Sequence, residues 1–228
     1  MVDKTKVDYI SSYVSKLMRK NFGRGPQSCQ AFVSRNHVVI YIRGFLAPME
    51  EILLKRGHSK EVDYARKLII RNLLEEIKGV IQVTLEEVSN EYYDDWNYPN
   101  NTGVLVFVFA KEEEQSVIAD LDIPKLESEI SRISLLVQKV PNKIHTYSIH
   151  PSVYIIERIG ILIQIEKALV ERGFEQELRF TKDELEKSYF HRFGRFEDIF
   201  RKQVRDIFVD WNFNKDKSLM VFILESSQ

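Results

Sequence analysis

The feature that most constrains this chain is a phrase it uses twice. Asp95-Trp96-Asn97-Tyr98 returns as Asp210-Trp211-Asn212-Phe213, each time just ahead of an apolar run, Val104 to Phe109 and Leu219 to Leu224. Sliding one half over the other by 115 positions (211 minus 96) also lays Pro26 on Pro141, Arg43 on Arg158, Gly79 on Gly194 and Val106-Phe107 on Val221-Phe222. One inserted residue then brings Glu50 onto Glu166 and Arg56-Gly57 onto Arg172-Gly173. Agreement at a nearly fixed offset marks a tandem repeat, so the fold has to be built twice, from units of about 110 residues with a modest core each. The expected organisation is a first repeat over residues 1–112, a linker over 113–122 around Glu112-Glu113-Glu114, and a divergent second repeat over 123–228.

Charge narrows the function classes. Thirty-three Lys and Arg stand against thirty-four Asp and Glu, a net charge of −1. A dedicated nucleic-acid binder carries a basic excess or stripe, and none is visible. The single cysteine, Cys29, has no partner for an intramolecular disulfide and fits a cytosolic chain. Met1 to Thr5 lacks the apolar core of a signal peptide. The greasiest stretch, Val153 to Val170, is interrupted by Glu157, Arg158, Gln164, Glu166 and Lys167, which a spanning helix of about 20 apolar residues does not tolerate. The expectation is a cytoplasmic protein without a transmembrane segment, reaching a membrane's inner face only through a partner.

Periodicity supplies the elements. Val7, Ile10, Val14, Leu17 and Met18 recur at helical spacing, predicting a helix over 4–21 that stops at Gly23-Arg24-Gly25-Pro26. Cys29, Ala31 and Val33 then alternate, Arg35-Asn36 turns the chain, and Val38 to Arg43 returns as the second strand of a hairpin. Pro48 opens a short helix through Leu54 that Gly57 closes. Ser59 is then placed to cap a long helix over 60–89, with Tyr64, Leu68, Leu73, Ile77, Ile81, Leu85 and Val88 as its apolar stripe. Strands over 91–98 and 104–109, separated by a turn at Pro99 to Gly103, complete the unit.

The second half repeats this order. Asp122 caps and Pro124 opens a helix over 124–139 with Leu126, Ile130, Ile133, Leu136 and Val137 inward. Strands follow over 143–149 and 152–158, then a helix over 163–172 ending at Gly173. Thr181 and Glu184 read as the capping box of a helix to Phe208, before strands over 209–213 and 218–225. The fold class is α+β: two tandem α-β-β-α-α-β-β repeats, each with an antiparallel sheet and a long amphipathic helix, related by a pseudo-two-fold. Whether the eight strands make one sheet or two stays open. Gly79 and Gly194 cost a helix roughly 1 kcal/mol each relative to alanine, which points to a shared kink or a close helix crossing.

Candidate functional residues are few. Gly23, Arg24, Gly25 and Pro26 sit between a helix end and a strand, and with Arg43 they form the candidate binding residues. Two readings compete: outward-aimed backbone N–H groups with Arg24 holding a small anion, or a helix C-cap with a tight entry to the hairpin. An anion at a helix C-terminus also opposes the dipole. Trp96 and Trp211, flanked by Asp95, Asn97, Asp210 and Asn212, read as core anchors and turn residues that define the repeat. His37, His58, His145, His150 and His191 stand at no zinc-ligand spacing, and no nucleophile, phosphate-loop or kinase motif is present. The expectation is no catalytic residue, no metal and no cofactor.

Gly23-Arg24-Gly25-Pro26 before an alternating hairpin, Phe45-Leu46-Ala47-Pro48-Met49-Glu50 before a short helix, then a long charged helix and a strand ending Val106-Phe107-Val108, resemble the MpsC-like family. These are the Na-translocating, membrane-potential-generating-system accessory proteins of bacteria. The likeness covers about residues 1–110 directly and reaches 125–225 through the repeat, because the second half has Gln138-Lys139-Val140-Pro141 in place of the motif. It implies a protein partner, such as a transporter subunit, in a system that moves cations or supports inorganic-carbon uptake. It supplies no catalytic residues, and it leaves homodimerisation open. The competing expectation is a cytosolic sensor of a small anion or metabolite, bound near the Gly23–Pro26 loop or between the repeats.

Overall fold

The computed structural model describes residues 3–110 and 121–225. It divides into two units, Met1–Glu112 and Glu113–Gln228. The expected linker over 113–122 lies outside the described residues except for Leu121 and Asp122.

In the first unit, helix α1 (Lys4–Phe22) leads into strands β1 (Ser28–Val33) and β2 (His37–Arg43), helices α2 (Pro48–Lys55) and α3 (Ser59–Leu85), and strands β3 (Ser89–Asn97) and β4 (Thr102–Phe109). The strands form one antiparallel sheet in the order β1-β2-β4-β3. Because side chains alternate across a strand, Val38, Ile40 and Ile42 of β2 share a face with Leu105, Phe107 and Phe109 of β4. That face packs against Ile10, Val14, Leu17 and Met18 of α1 and Ile70, Leu73, Ile77 and Ile81 of α3.

The second unit repeats the plan: α4 (Ile123–Val137), β5 (Lys143–His150), β6 (Val153–Ile159), α5 (Gln164–Glu171), α6 (Glu175–Phe193), α7 (Phe196–Phe200), β7 (Val204–Asn212) and β8 (Lys217–Leu224). Its sheet runs β5-β6-β8-β7, the order of the first. The eight strands therefore make two four-stranded sheets, and the fold is α+β. Leu126, Ile130 and Ile133 of α4, Phe190 of α6, Phe196 and Phe200 of α7, and Ile156, Met220 and Phe222 of the sheet form its core.

Three expectations about the helices are corrected. First, α3 starts at Ser59 behind His58, which makes no side-chain cap bond, and it ends at Leu85 with Glu86 in the left-handed region, so Ser89 already belongs to β3. Its buried stripe is Val62, Arg66, Ile70, Leu73, Ile77 and Ile81, whereas Tyr64, Leu68 and Val88 are exposed. Stepping back from Ile77 by three or four residues per turn leads through Ile70 to Arg66, and a search for apolar side chains steps over a charged one.

Second, the helix expected to reach Phe208 ends at Phe193. Gly194 leaves the helix at φ −76°, ψ 130°, and a Cβ there would stand 2.2 Å from the Phe196 ring. α7 follows, and β7 begins at Val204, 115 positions beyond Ser89. The expected capping box does not form: Thr181 lies inside α6 and donates its hydroxyl to the Glu177 carbonyl at 2.8 Å. Third, α3 passes through Gly79 without interruption, and apart from the helix's own neighbouring residues no described heavy atom lies within 4 Å of where its Cβ would stand. Among the described residues no helix crosses α3 against Gly79, so the two glycines play different parts.

One polar joint recurs in both units and fixes how α2 and α5 leave the sheet. Asn101, at φ 52°, accepts the N–H groups of Phe45 and Leu46 on one oxygen, at 2.8 and 2.9 Å. Asp216, at φ 49°, does the same for Ile161 and Leu162 at 2.8 and 2.7 Å. Asn101→Gly keeps the left-handed backbone and removes only the acceptor. We expect it to lower unfolding free energy by about 1–3 kcal/mol in urea titration, the cost of leaving buried donors unpaired.

Candidate functional site

α1 carries Arg19 and Lys20 in its last turn and stops at Gly23, whose φ of 72° is the left-handed cap a helix end favours. The Gln27 N–H bonds the Arg43 carbonyl at 2.9 Å, tying the loop to the end of β2. Arg24 lies 4.0 Å from Glu51 on α2. Arg43 donates from Nε to the Ser28 hydroxyl at 2.8 Å. The candidate residues Gly23, Arg24, Gly25, Pro26 and Arg43 thus share one end of the unit, but the two arginines have separate partners. An anion at Arg24 would have to compete with the Glu51 carboxylate.

Beside this loop sits a group that the sequence reading passed over. Arg66 of α3 is fully buried. Its Nη2 donates to both Glu50 oxygens, at 2.6 and 2.5 Å. Its guanidinium carbon lies 4.3 Å from the Phe22 ring centre, 4.1 Å from Phe45 and 4.7 Å from Trp96. Taking both charges out of water costs several kcal/mol per ion, offset here by the ion pair and by ring faces worth about 0.5–2 kcal/mol each. Burial pulls Arg66 below the usual arginine range, and Glu50 opposes that pull. Glu50 has a second duty, accepting the Ala47 N–H at 2.8 Å and so capping α2. Among the described residues, Nε and Nη1 of Arg66 have no hydrogen-bond partner.

The second unit holds the counterpart at the 116-residue offset of Glu50 and Glu166, with Lys182 in place of Arg66. Glu166 caps α5 by accepting the Ile163 N–H at 3.0 Å and pairs with Lys182 at 3.0 Å. Here the network is wider. Lys182 also donates to the Gln138 side-chain oxygen at 2.6 Å and pairs with Glu186 at 3.0 Å. Gln138 donates its amide to Glu166 and to the Ile161 carbonyl, the latter at 3.0 Å. Arg158, aligned with Arg43 by the sequence offset, is set by the sheet register opposite Ser218, at the core-facing position that Ile42 holds opposite Gly103; it is buried and pairs with Glu186 at 2.6 Å. Burial alone would raise the Glu186 carboxyl, but Arg158 and Lys182 outweigh it and hold it below the ordinary range.

The repeat-signature residues build the turn beside each site. Asp95 and Asp210 accept the N–H of the tryptophan that follows, at 2.7 and 2.8 Å. Asn97 and Asn212 accept the N–H three residues on, from Asn100 and Lys215, each at 3.2 Å. Trp96 and Trp211 are buried in their respective cores. Cys29 is a half-buried thiol pushed up to about 12 by burial, which makes it a poor nucleophile at neutral pH. Among the described residues no group of three His, Cys, Asp or Glu is placed to hold a metal.

Fold and site together define a tandem α+β repeat protein in which each unit locks a helix-capping glutamate onto a buried cation. The family model described as "Na+-translocating membrane potential-generating system (MpsC)" matches residues 3–111 and, separately, residues 125–226, and the chain belongs to this family. The second half is thus a family unit in its own right despite lacking Gly-Arg-Gly-Pro. No curated protein and no solved structure gives a significant match.

Arg66→Met leaves Glu50 buried without its cation and should cost about 3–5 kcal/mol, whereas adding Glu50→Gln should recover a large share. Urea titration of both variants and of Glu50→Gln closes the cycle, and additive losses would show that the pair is not coupled. In the second unit the carboxyls of Glu186, of Glu129 beside Arg132, and of Asp216 are all held low. A carboxyl depressed in the folded state adds stability above its unfolded value, and that stability is lost as pH falls through the folded one. With Trp96→Phe as background, Trp211 fluorescence should report unfolding as pH drops below about 4.

Proposed function

We propose that this chain is a non-enzymatic accessory or regulatory protein of a bacterial Na+-translocating membrane system, acting through protein contact. The observation that carries the reading is the family match over both repeats. Among the described residues, no helix is long and apolar enough to cross a membrane, so on this reading a partner supplies the translocation path. The contact is assigned to the end of the first unit that carries Gly23, Arg24, Gly25, Pro26 and Arg43, because the second unit replaces that loop with Gln138-Lys139-Val140. A freely accessible anion pocket formed by Arg24 and Arg43 is the less favoured alternative, since Glu51 and Ser28 already engage them.

Crosslinking in intact native cells, followed by affinity purification of a tagged copy and mass spectrometry of the membrane fraction, tests the reading. Subunits of a cation-translocating complex should be recovered, and Arg24→Glu should reduce their recovery several-fold while leaving the fold intact by circular dichroism. Recovery of the tagged protein alone would contradict the proposal.

A further inference from the structure

The two repeats act as controls for each other, and one comparison leaves something unaccounted for. In the second unit the buried cation is finished by a side-chain amide: the Gln138 oxygen accepts from Lys182 at 2.6 Å while its nitrogen donates to Glu166 and the Ile161 carbonyl. The 115-residue offset places Gly23 where Gln138 stands, and the matched Asn101 and Asp216 joints, at an offset of 116 on the donor side, place Phe45 where Ile161 stands. Gly23 brings no side chain and is left-handed at φ 72° where Gln138 has φ −154°; apart from its two chain neighbours, no described heavy atom lies within 4 Å of where its Cβ would stand. Arg66, the counterpart of Lys182, is left with two buried N–H groups, Nε and Nη1, without an acceptor among the described residues. Buried donors in native proteins are almost always satisfied, so this pair needs a reason.

We infer that the first unit is a binding site for a primary carboxamide, which enters over Gly23 and takes the place that Gln138 fills in the second unit. The amide oxygen accepts from Arg66, and the amide nitrogen donates to Glu50 and to the Phe45 carbonyl. Charge selects the class. Glu50 already neutralises Arg66, so a carboxylate would bring an uncompensated second negative charge into the buried site, whereas a carboxamide is neutral and carries both donor and acceptor. Phe22 is the gate. It is the last residue of α1, only half-buried, and its ring lies 4.3 Å from the guanidinium, where the second unit has the smaller Val137. Gly23, in the left-handed region beside it, gives that end of the helix a point about which to move. This site does not depend on the protein-contact reading, since the carboxamide is either a partner's Asn or Gln side chain or a small amide.

The test follows the Arg66 Nε–H resonance by NMR, assigned by its loss in Arg66→Lys, while acetamide or acetate is added to the full chain. Acetamide should give a saturable shift and acetate a much weaker one. Phe22→Val should tighten acetamide several-fold. Phe22→Val with Gly23→Gln supplies the second unit's two side chains, on a backbone at φ 72° where Gln138 has −154°, and it should move the resonance without any probe and weaken acetamide about tenfold or more, the ratio that 1.4 kcal/mol produces. A capped Gly-Gln-Gly peptide binding more tightly than free L-glutamine assigns the amide to a protein partner, and the reverse order assigns it to a metabolite. A resonance unmoved by acetamide in both the wild type and Phe22→Val, or one moved more by acetate than by acetamide, overturns the site.

Discussion

A carboxylate that must do two jobs at once organises each repeat. Glu50 accepts the N–H that would otherwise be orphaned at the start of α2 and also neutralises the guanidinium of Arg66; Glu166 does the same for α5 and Lys182. Neither job is strong alone. An N-terminal cap is worth about 1 kcal/mol, and a buried ion pair often contributes little net stability. Combined, they permit only one arrangement, because a helix shifted by one residue would leave both a backbone donor and a buried cation unmatched. The Asn101 and Asp216 joints, each accepting two further N–H groups just before these helices, fix the same junction from the strand side.

Around that shared constraint the two units have diverged in how they satisfy the cation. The first surrounds Arg66 with Phe22, Phe45 and Trp96, using aromatic faces and a planar guanidinium that stacks well on them. The second holds a compact ammonium with Glu166, Glu186 and Gln138, and it balances the added carboxylate with Arg158, which stands at the core-facing strand position that Ile42 holds in the first. The position that is Glu186 in the second unit is Ile70 in the first, so an apolar pair, Ile70 and Ile42, stands where the second unit has Glu186 and Arg158. Closure of the buried cation is polar in the second unit, where Gln138 takes part, and aromatic in the first, where Gly23 stands at that position.

Much of the architecture was legible in the sequence because it rests on local chemistry. The αL cap at Gly23, the hairpin through Arg35-Asn36, the Pro48 helix start and the Trp96 and Trp211 turns each follow from residue type at a fixed place. What was not legible depends on tertiary context. Gly79 and Gly194 superpose in sequence, yet one lies inside a helix and the other ends one, because only Gly194 is crowded by the Phe196 ring. Arg66, Lys182 and Glu186 interrupt buried stripes with charge, so a pattern search built on apolar spacing shifted the first stripe toward Tyr64 and Leu68 and gave the second helix the wrong start. One clue was available: extending the Glu50 and Glu166 superposition by sixteen residues pairs Arg66 with Lys182, a basic residue inside both helices.

The central claim is that each helix-capping glutamate is locked by its buried cation, so the amides it accepts should open only when their whole unit unfolds. Native-state hydrogen exchange of the Ala47 and Ile163 N–H groups measures this directly. Exchange is expected with a free energy equal to that of unfolding of the respective unit, with Ala47 protection lost selectively in Arg66→Met and Ile163 protection lost selectively in Lys182→Met. Rapid exchange of both amides in the wild type, or protection indifferent to those substitutions, would contradict it.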